Sequence, residues 1–373
     1  LSPSNVLARH GAGGAAGVLG GGGGGGAGAG DGGEVRPAGA VLLHLRRLAG
    51  GQRQQQLHRV PGARQLPALR HRLRRRPVGA LHQRPHNHAH AAQLLGFDNF
   101  IPPYAATGGD QLLNGVNFAS AAAGIRAETG QQQGGRIPFA GQVQNYQTAV
   151  QTLVNILGDR DTASERLSQC IFTVGMGSND YLNNYFQPAF YNTGSRYTPE
   201  QFADSLIADY RRYLQAMYSY GARKVALIGV GQVGCAPNEL ARYSPDGATC
   251  VGRIDGAIQI FNRRLFGLVD QMNTLPGAHF TYINAYNIFN DILANAAAYG
   301  FTESTAGCCG VGRNNGEVTC LPYQAPCANR DQHIFWDAFH PSEAANIIVG
   351  RRSYRAQSPN DAYPMDISTL ASL

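Results

Sequence analysis

The sequence predicts an α/β fold of three layers over residues 92–373, with helices on both faces of a parallel sheet. Two observations carry that prediction. Short apolar runs ending in glycine recur along the chain, and amphipathic stretches with helical spacing separate them. A strand, a helix and a second strand in that order imply a right-handed crossover, which sets the two strands parallel.

The first run, Cys170-Ile-Phe-Thr-Val174, reads as a buried strand. Thr198-Pro199-Glu200 then starts a helix, with Thr as N-cap and Pro at the first helical position, and Phe202, Leu206, Tyr210 and Leu214 follow at four-residue spacing. Gly221 stops it. Lys224-Val-Ala-Leu-Ile-Gly-Val230 is the second buried strand, and a helix around Ile254 to Met272, a strand at His279 to Asn284 and a helix around Ile288 to Ala294 repeat the unit.

Residues 1–91 differ in kind. They hold 13 Arg against Asp31 and Glu34, so the formal charge of +7 divides into +11 there and −4 over residues 92–373. They also hold eight of the 11 His, and residues 1–40 hold 16 Gly. A Gly- and Arg-rich stretch without aromatics buries too little apolar area to offset its ordering entropy, so this low-complexity segment is expected to be disordered. No stretch reaches the roughly 18 to 20 uninterrupted apolar residues of a membrane span. Residues 20–30 are mostly Gly where the apolar core of a secretory signal would lie, so no signal peptide is expected as written.

Seven Cys fall at 170, 235, 250, 308, 309, 320 and 327. Six of them lie in the C-terminal 140 residues, which points to disulfides and an oxidising compartment. The competing reading is a zinc site from Cys308, Cys309, Cys320, Cys327 and His333. Against it, no Cys-x-x-Cys pair occurs and adjacent cysteines rarely hold one ion. Spacing leaves the connectivity open.

Three features sit where strands should end, the usual place for chemistry in an open α/β sheet. Gly177-Ser178-Asn179-Asp180 follows the first strand; an Asn amide there can donate to a developing oxyanion, and the plain alternative is a turn. In Trp336-Asp337-Ala338-Phe339-His340-Pro341-Ser342-Glu343, an Asp three residues before a His can orient the imidazole through one nitrogen and leave the other free as a base. With 16 Asp and 11 His, about 0.5 such pairs arise by chance, so a capping turn with a surface His competes. The third feature, Gly115-Val-Asn117-Phe-Ala119-Ser120-Ala-Ala-Ala123-Gly124-Ile125, lets a backbone approach a substrate closely or packs a tight helix surface.

Together and in this order, the three features resemble the plant-type GDSL esterase/lipase family of the SGNH hydrolases. The resemblance runs through residues 92–373 and includes Gly231-Gln-Val-Gly-Cys235-Ala-Pro237, Gly307-Cys-Cys-Gly-Val-Gly312 and Arg351-Arg352-Ser353-Tyr354. It implies a three-layer α/β/α, flavodoxin-like hydrolase that attacks carboxylic esters through a Ser nucleophile. His340 would be the general base, Asp337 its orienting partner, and Asn179 a side-chain donor in the oxyanion hole. The family's second block supplies a backbone N–H, often from Gly, where this chain has Ala121 and Ala122; Ala122 is the candidate donor. The resemblance also implies secretion, a lipid or small-molecule ester as partner, and no metal or organic cofactor. It leaves the acyl chain, the alcohol and the oligomeric state open.

The family's N-terminal Gly-Asp-Ser-Leu, which carries the nucleophile, occurs nowhere in the chain. Ser120, Ser178 and Ser342 lie inside the recognised motifs, yet none matches its position. Translation one base out of frame accounts for the absence: Arg46-Arg47-Leu48-Ala49-Gly50-Gly51 can be encoded by codons whose shifted reading is Gly-Asp-Ser-Leu-Val-Asp. The segments Gln52 to Gln56, Gln65 to Arg70 and Ala80 to Asn87 decode likewise into the motifs expected next, with the frame recovering before Gln93. The same shift turns Val41-Leu42 into Pro-Cys, raising seven Cys to eight. Since the family's first strand precedes its Ser, the written chain is expected to leave a central sheet position unfilled. Two alternatives stand beside this reading. One is a catalytically dead relative that binds lipid or carbohydrate. The other is a basic tail that binds nucleic acid through Arg70, Arg72, Arg74, Arg75 and Arg76; the segment lacks aromatics for base stacking, so no nucleic-acid partner is expected.

Overall fold

The structure, a computed structural model, describes the backbone of residues 40–44 and all of residues 92–97 and 101–373. A six-stranded sheet runs through it. Its strands are β1 (Ala40–His44), β2 (Val116–Asn117), β3 (Ile171–Gly175), β4 (Lys224–Ile228), β5 (His279–Ile283) and an edge strand at Ala362–Tyr363, in the order edge, β5, β4, β3, β1, β2. β3, β4 and β5 are parallel, and their residues line up as Phe172, Val225 and Phe280 in one row and Thr173, Ala226 and Thr281 in the next. Side chains alternate across a strand, so these rows feed opposite faces.

One face receives Phe172, Val174, Val225, Leu227, Phe280 and Tyr282. It is covered by α1 (Phe139–Leu157), α3 (Pro199–Ser219) and α5 (Gly252–Asn273), with the shorter α2 (Arg160–Ser168) leading from α1 into β3 and the short α4 (Pro237–Tyr243) following β4. The other face presents Ile171, Ala226, Ile228 and Ile283 to α6 (Ala285–Ala294), α7 (Glu343–Tyr354) and α8 (Ile367–Ser372). This is the three-layer arrangement expected from the sequence. Each fully buried Leu, Phe or Ile in these layers contributes roughly 1.5–3 kcal/mol.

Local signals decide the element ends. The Gln201 N–H donates to Thr198 Oγ1 at 3.3 Å, and the Thr198 N–H donates back to Gln201 Oε1 at 3.0 Å, a reciprocal cap at the start of α3. Gly221 lies just beyond its end at φ +99°, a left-handed turn suited to glycine.

The sheet differs from the expected parallel one at both flanks. The edge strand Ala362–Tyr363 runs antiparallel to β5, because the chain returns directly from α7 without another crossover, and Pro364 then removes a donor. At the opposite flank the position expected to stay unfilled holds β1. That strand pairs antiparallel with β3, Leu42 opposite Thr173, and antiparallel with β2, Leu42 opposite Asn117. An apolar Ala-Val-Leu-Leu run satisfies the open ladder of β3 by hydrogen bonds that need no particular side chains. The remainder of residues 1–91, expected to be disordered, lies outside the described residues.

The C-terminal segment is pinned by a buried ion pair. Arg352 donates from Nε and Nη2 to the two oxygens of Asp361 at 2.9 and 2.6 Å, and a further N–H reaches Asp291 on α6. Removing one partner strands the other charge in the interior. Arg352→Ala is expected to cost about 3–5 kcal/mol in urea unfolding, and Arg352→Lys to recover only part of it, since an ammonium cannot bridge both oxygens.

Candidate active site

The chain leaves β3 through a sharp turn. Gly177 sits at φ +129°, and a Cβ there would come within 3.0–3.2 Å of Phe261 and Val230, so only glycine fits. A single helical turn, Ser178–Asp180, follows and widens into a π-turn over Tyr181–Tyr185. Tyr181 anchors it by packing edge-on against Phe202 and Phe261.

Two adjacent side chains of this turn grip the small-residue loop. The buried Asn179 donates from Nδ2 to the carbonyl of Ala123 at 2.9 Å and accepts from Asn183 at 2.8 Å, which leaves one amide hydrogen for another acceptor. Asp180, fully buried, accepts from the N–H of Ile125 at 2.8 Å, the N–H of Arg126 at 3.1 Å and the hydroxyl of Thr129 at 2.8 Å. Asn184 donates to Thr129, and Thr193 to Asn184, so the network is closed by further buried groups. Burial pushes the Asp180 carboxyl up to about 6, against the pull of its three donors.

Ala122 adopts φ +56°, in the left-handed region, and its carbonyl lies so close to Gly130 that a Cβ there would meet the oxygen at 2.3 Å. The position flagged for its missing glycine thus has the conformation that glycine prefers. Ser120 accepts from the N–H of Ile137 at 2.8 Å, and Ser342 caps α7 through the N–H of Ala345 at 3.2 Å; both hydroxyls have structural partners.

The Asp-His pair lies on the loop after the short strand His333–Phe335, which pairs in parallel with Glu303–Gly307. Asp337 is buried, and its two oxygens stand 2.8 and 2.9 Å from Nδ1 of His340. The same carboxylate accepts the N–H groups of Phe339 and His340 at 2.9 and 2.8 Å, and the Thr319 hydroxyl at 3.1 Å. Burial would raise the Asp337 carboxyl, but the imidazole beside it and these hydrogen bonds hold it below the usual carboxylate range. Nε2 of His340 is buried and makes no hydrogen bond among the described residues. No hydrogen bond among the described residues links His340 to Asn179 or Ala122. Both groups are tied instead to the chain after β4: Val230 packs on Gly177, and the Asn238 N–H donates to Ala338 at 2.9 Å.

The zinc reading is overturned by sulfur bonding. Cys308 pairs with Cys327 and Cys309 with Cys320, which leaves His333 alone of that set; Cys235 pairs with Cys250. Cys170 is the free cysteine among the described residues, and burial pushes its thiol up to about 12. The Arg70 to Arg76 cluster lies outside the described residues. Sequence reasoning passed over Asp180 and Thr319. Asp180 stood in view as a turn residue with nothing to mark its burial, and Thr319 carries no signal at all, since a disulfide brings it to Asp337.

Two outcomes test this geometry. Ala122→Gly should stay within about 0.5 kcal/mol of the parent in thermal unfolding, because relief of the left-handed strain offsets the added chain freedom and lost methyl. The Asp180 carboxyl titrates near 6 in the folded chain against 3.8 when free, so the native state binds the extra proton between those values. Its contribution is therefore fully present below pH 3.8 and lost as pH rises through 6, by about 3 kcal/mol; Asp180→Asn should flatten that part of the stability profile.

A family model described as GDSL-like lipase/acylhydrolase matches residues 87–353. Among curated proteins of Arabidopsis thaliana, the GDSL esterase/lipase At5g45670 is 60% identical over 283 residues, covering 76% of this chain and 78% of its own length. GDSL esterase/lipase At1g29660 is 60% identical over 282 residues, 75% of this chain and 78% of that protein. GDSL esterase/lipase At1g33811 is 48% identical over 288 residues, with 76% and 77% covered.

Proposed function

The chain belongs to the GDSL-like lipase/acylhydrolase family, and from that membership we propose that it is a carboxylic ester hydrolase with His340 as general base and Asp337 as its orienting acid. The observation that carries the assignment is the asymmetry of the imidazole: Nδ1 is held by a buried carboxylate, while Nε2 has no partner among the described residues. A ring held this way keeps one nitrogen protonated and the other ready to accept a proton.

In this reading a serine hydroxyl attacks the ester carbonyl as Nε2 takes its proton. The remaining amide hydrogen of Asn179 and backbone N–H groups, that of Ala122 among them, then hold the oxyanion. His340 returns the proton to the leaving alcohol, and water releases the acyl group by the same route. The serine belongs to the Gly-Asp-Ser-Leu block that residues 46–51 encode in the shifted frame. Asp180 acts at one remove, by fixing the loop that carries Ala122. The substrate is a lipid or small-molecule ester, and three disulfides support an extracellular location.

One observation favours a second reading for the chain as written: it contains no Gly-Asp-Ser-Leu, so a non-catalytic lipid- or carbohydrate-binding relative fits its sequence. Hydrolysis of a p-nitrophenyl acyl ester separates the two. The written chain should be inactive and the frame-restored chain active, and His340→Ala in the restored chain should lose at least about 100-fold in kcat. Full activity in that variant refutes the assignment, and turnover by the written chain refutes the missing-nucleophile account.

A further inference from the structure

We propose that Thr319 is a positioning residue for the Asp337–His340 pair, delivered to it by the Cys309–Cys320 disulfide; the inference rests on reading that pair as acid and base. The two oxygens of Asp337 are unequally served. Oδ1 accepts the N–H groups of Phe339 and His340 and faces Nδ1 at 2.8 Å. Oδ2 lies 2.9 Å from the same Nδ1, and its one other donor among the described residues is the Thr319 hydroxyl at 3.1 Å. Backbone donors fix one end of the carboxylate and Thr319 fixes the other. Without that hydroxyl the group can turn about its Cβ–Cγ bond, and the ring that leans on it turns too.

The route by which Thr319 arrives closes on itself. Thr319 pairs with Gly310 in a two-residue ladder and precedes Cys320. Cys320 is bonded to Cys309, whose N–H donates to Trp336 at 2.8 Å, one residue before the acid. From the opposite direction Gly307 backs onto Asp337, where a Cβ would stand 3.0–3.1 Å from its main-chain atoms. The acid is thereby clasped through its backbone and its far oxygen by a covalently closed loop and the glycine that leads into it. A loop built only to shield the site would not need to place a half-buried hydroxyl on Oδ2.

The test uses the full written chain and needs no turnover. A ring Nδ1 proton shared with a buried carboxylate gives a proton resonance well downfield of the backbone amides, and its loss in His340→Ala assigns it. Thr319→Ser is expected to keep that resonance, whereas Thr319→Val and the Cys309→Ala/Cys320→Ala pair broaden or displace it, with the near-ultraviolet circular dichroism of Thr319→Val unchanged. An unaltered position and width in Thr319→Val overturns the proposal, as does the absence of the resonance from the parent chain; Thr319→Ala gives the same reading if the valine variant does not fold. In the frame-restored chain Thr319→Val should lower kcat about 10-fold at unchanged KM. Failure of the acid-base reading itself would look different: His340→Ala would stay active while the resonance still depended on Thr319.

Discussion

The buried carboxylate of Asp180 is the constraint on which the arrangement after β3 depends. It sits without solvent at the end of the strand and takes two backbone N–H groups and a hydroxyl from a loop more than fifty positions earlier in the chain. A loop of Ala and Gly has few side chains with which to hold a shape of its own. Asp180 supplies the shape from outside, and Gly124 leaves room for it, since a Cβ there would meet Asp180 Oδ1 at 2.5 Å. Asn179 is held by the same grip through Ala123, so its remaining amide hydrogen has a defined direction before any ligand arrives.

The second half of the site is organised by a different means. The loop bearing Asp337 and His340 has no regular strand or helix of its own, and its order comes from disulfides and main-chain hydrogen bonds. Cys308 and Cys309 donate their N–H groups to Phe335 and Trp336, and both cysteines are covalently tied to the segment that returns past Thr319. Buried hydrogen bonds hold one half in place and covalent closure the other. The chain after β4 is the common floor, Val230 packing on Gly177 and the Asn238 N–H bonding to Ala338.

Much of the fold was legible in the sequence because its elements are specified locally. The buried apolar runs of β3, β4 and β5, the Thr198 cap and the stop at Gly221 all appear where the residues say they should. The Asp337–His340 pair was legible too, since three residues and a turn suffice to bring its atoms together. The antiparallel β1 was not. An open strand edge accepts any extended segment of suitable length, and backbone pairing carries little side-chain information to read.

By itself the sequence determined the three-layer fold, the family and the pairing of Asp337 with His340, because spacing along one element survives in any structure that element adopts. Only the tertiary structure decided the cysteine pairing, the left-handed backbone at Ala122, the burial of Asp180 and the approach of Thr319 to Asp337. Each of these depends on which distant segments meet, and a contact between segments is set by the packing of the whole sheet and its loops, which no local pattern encodes.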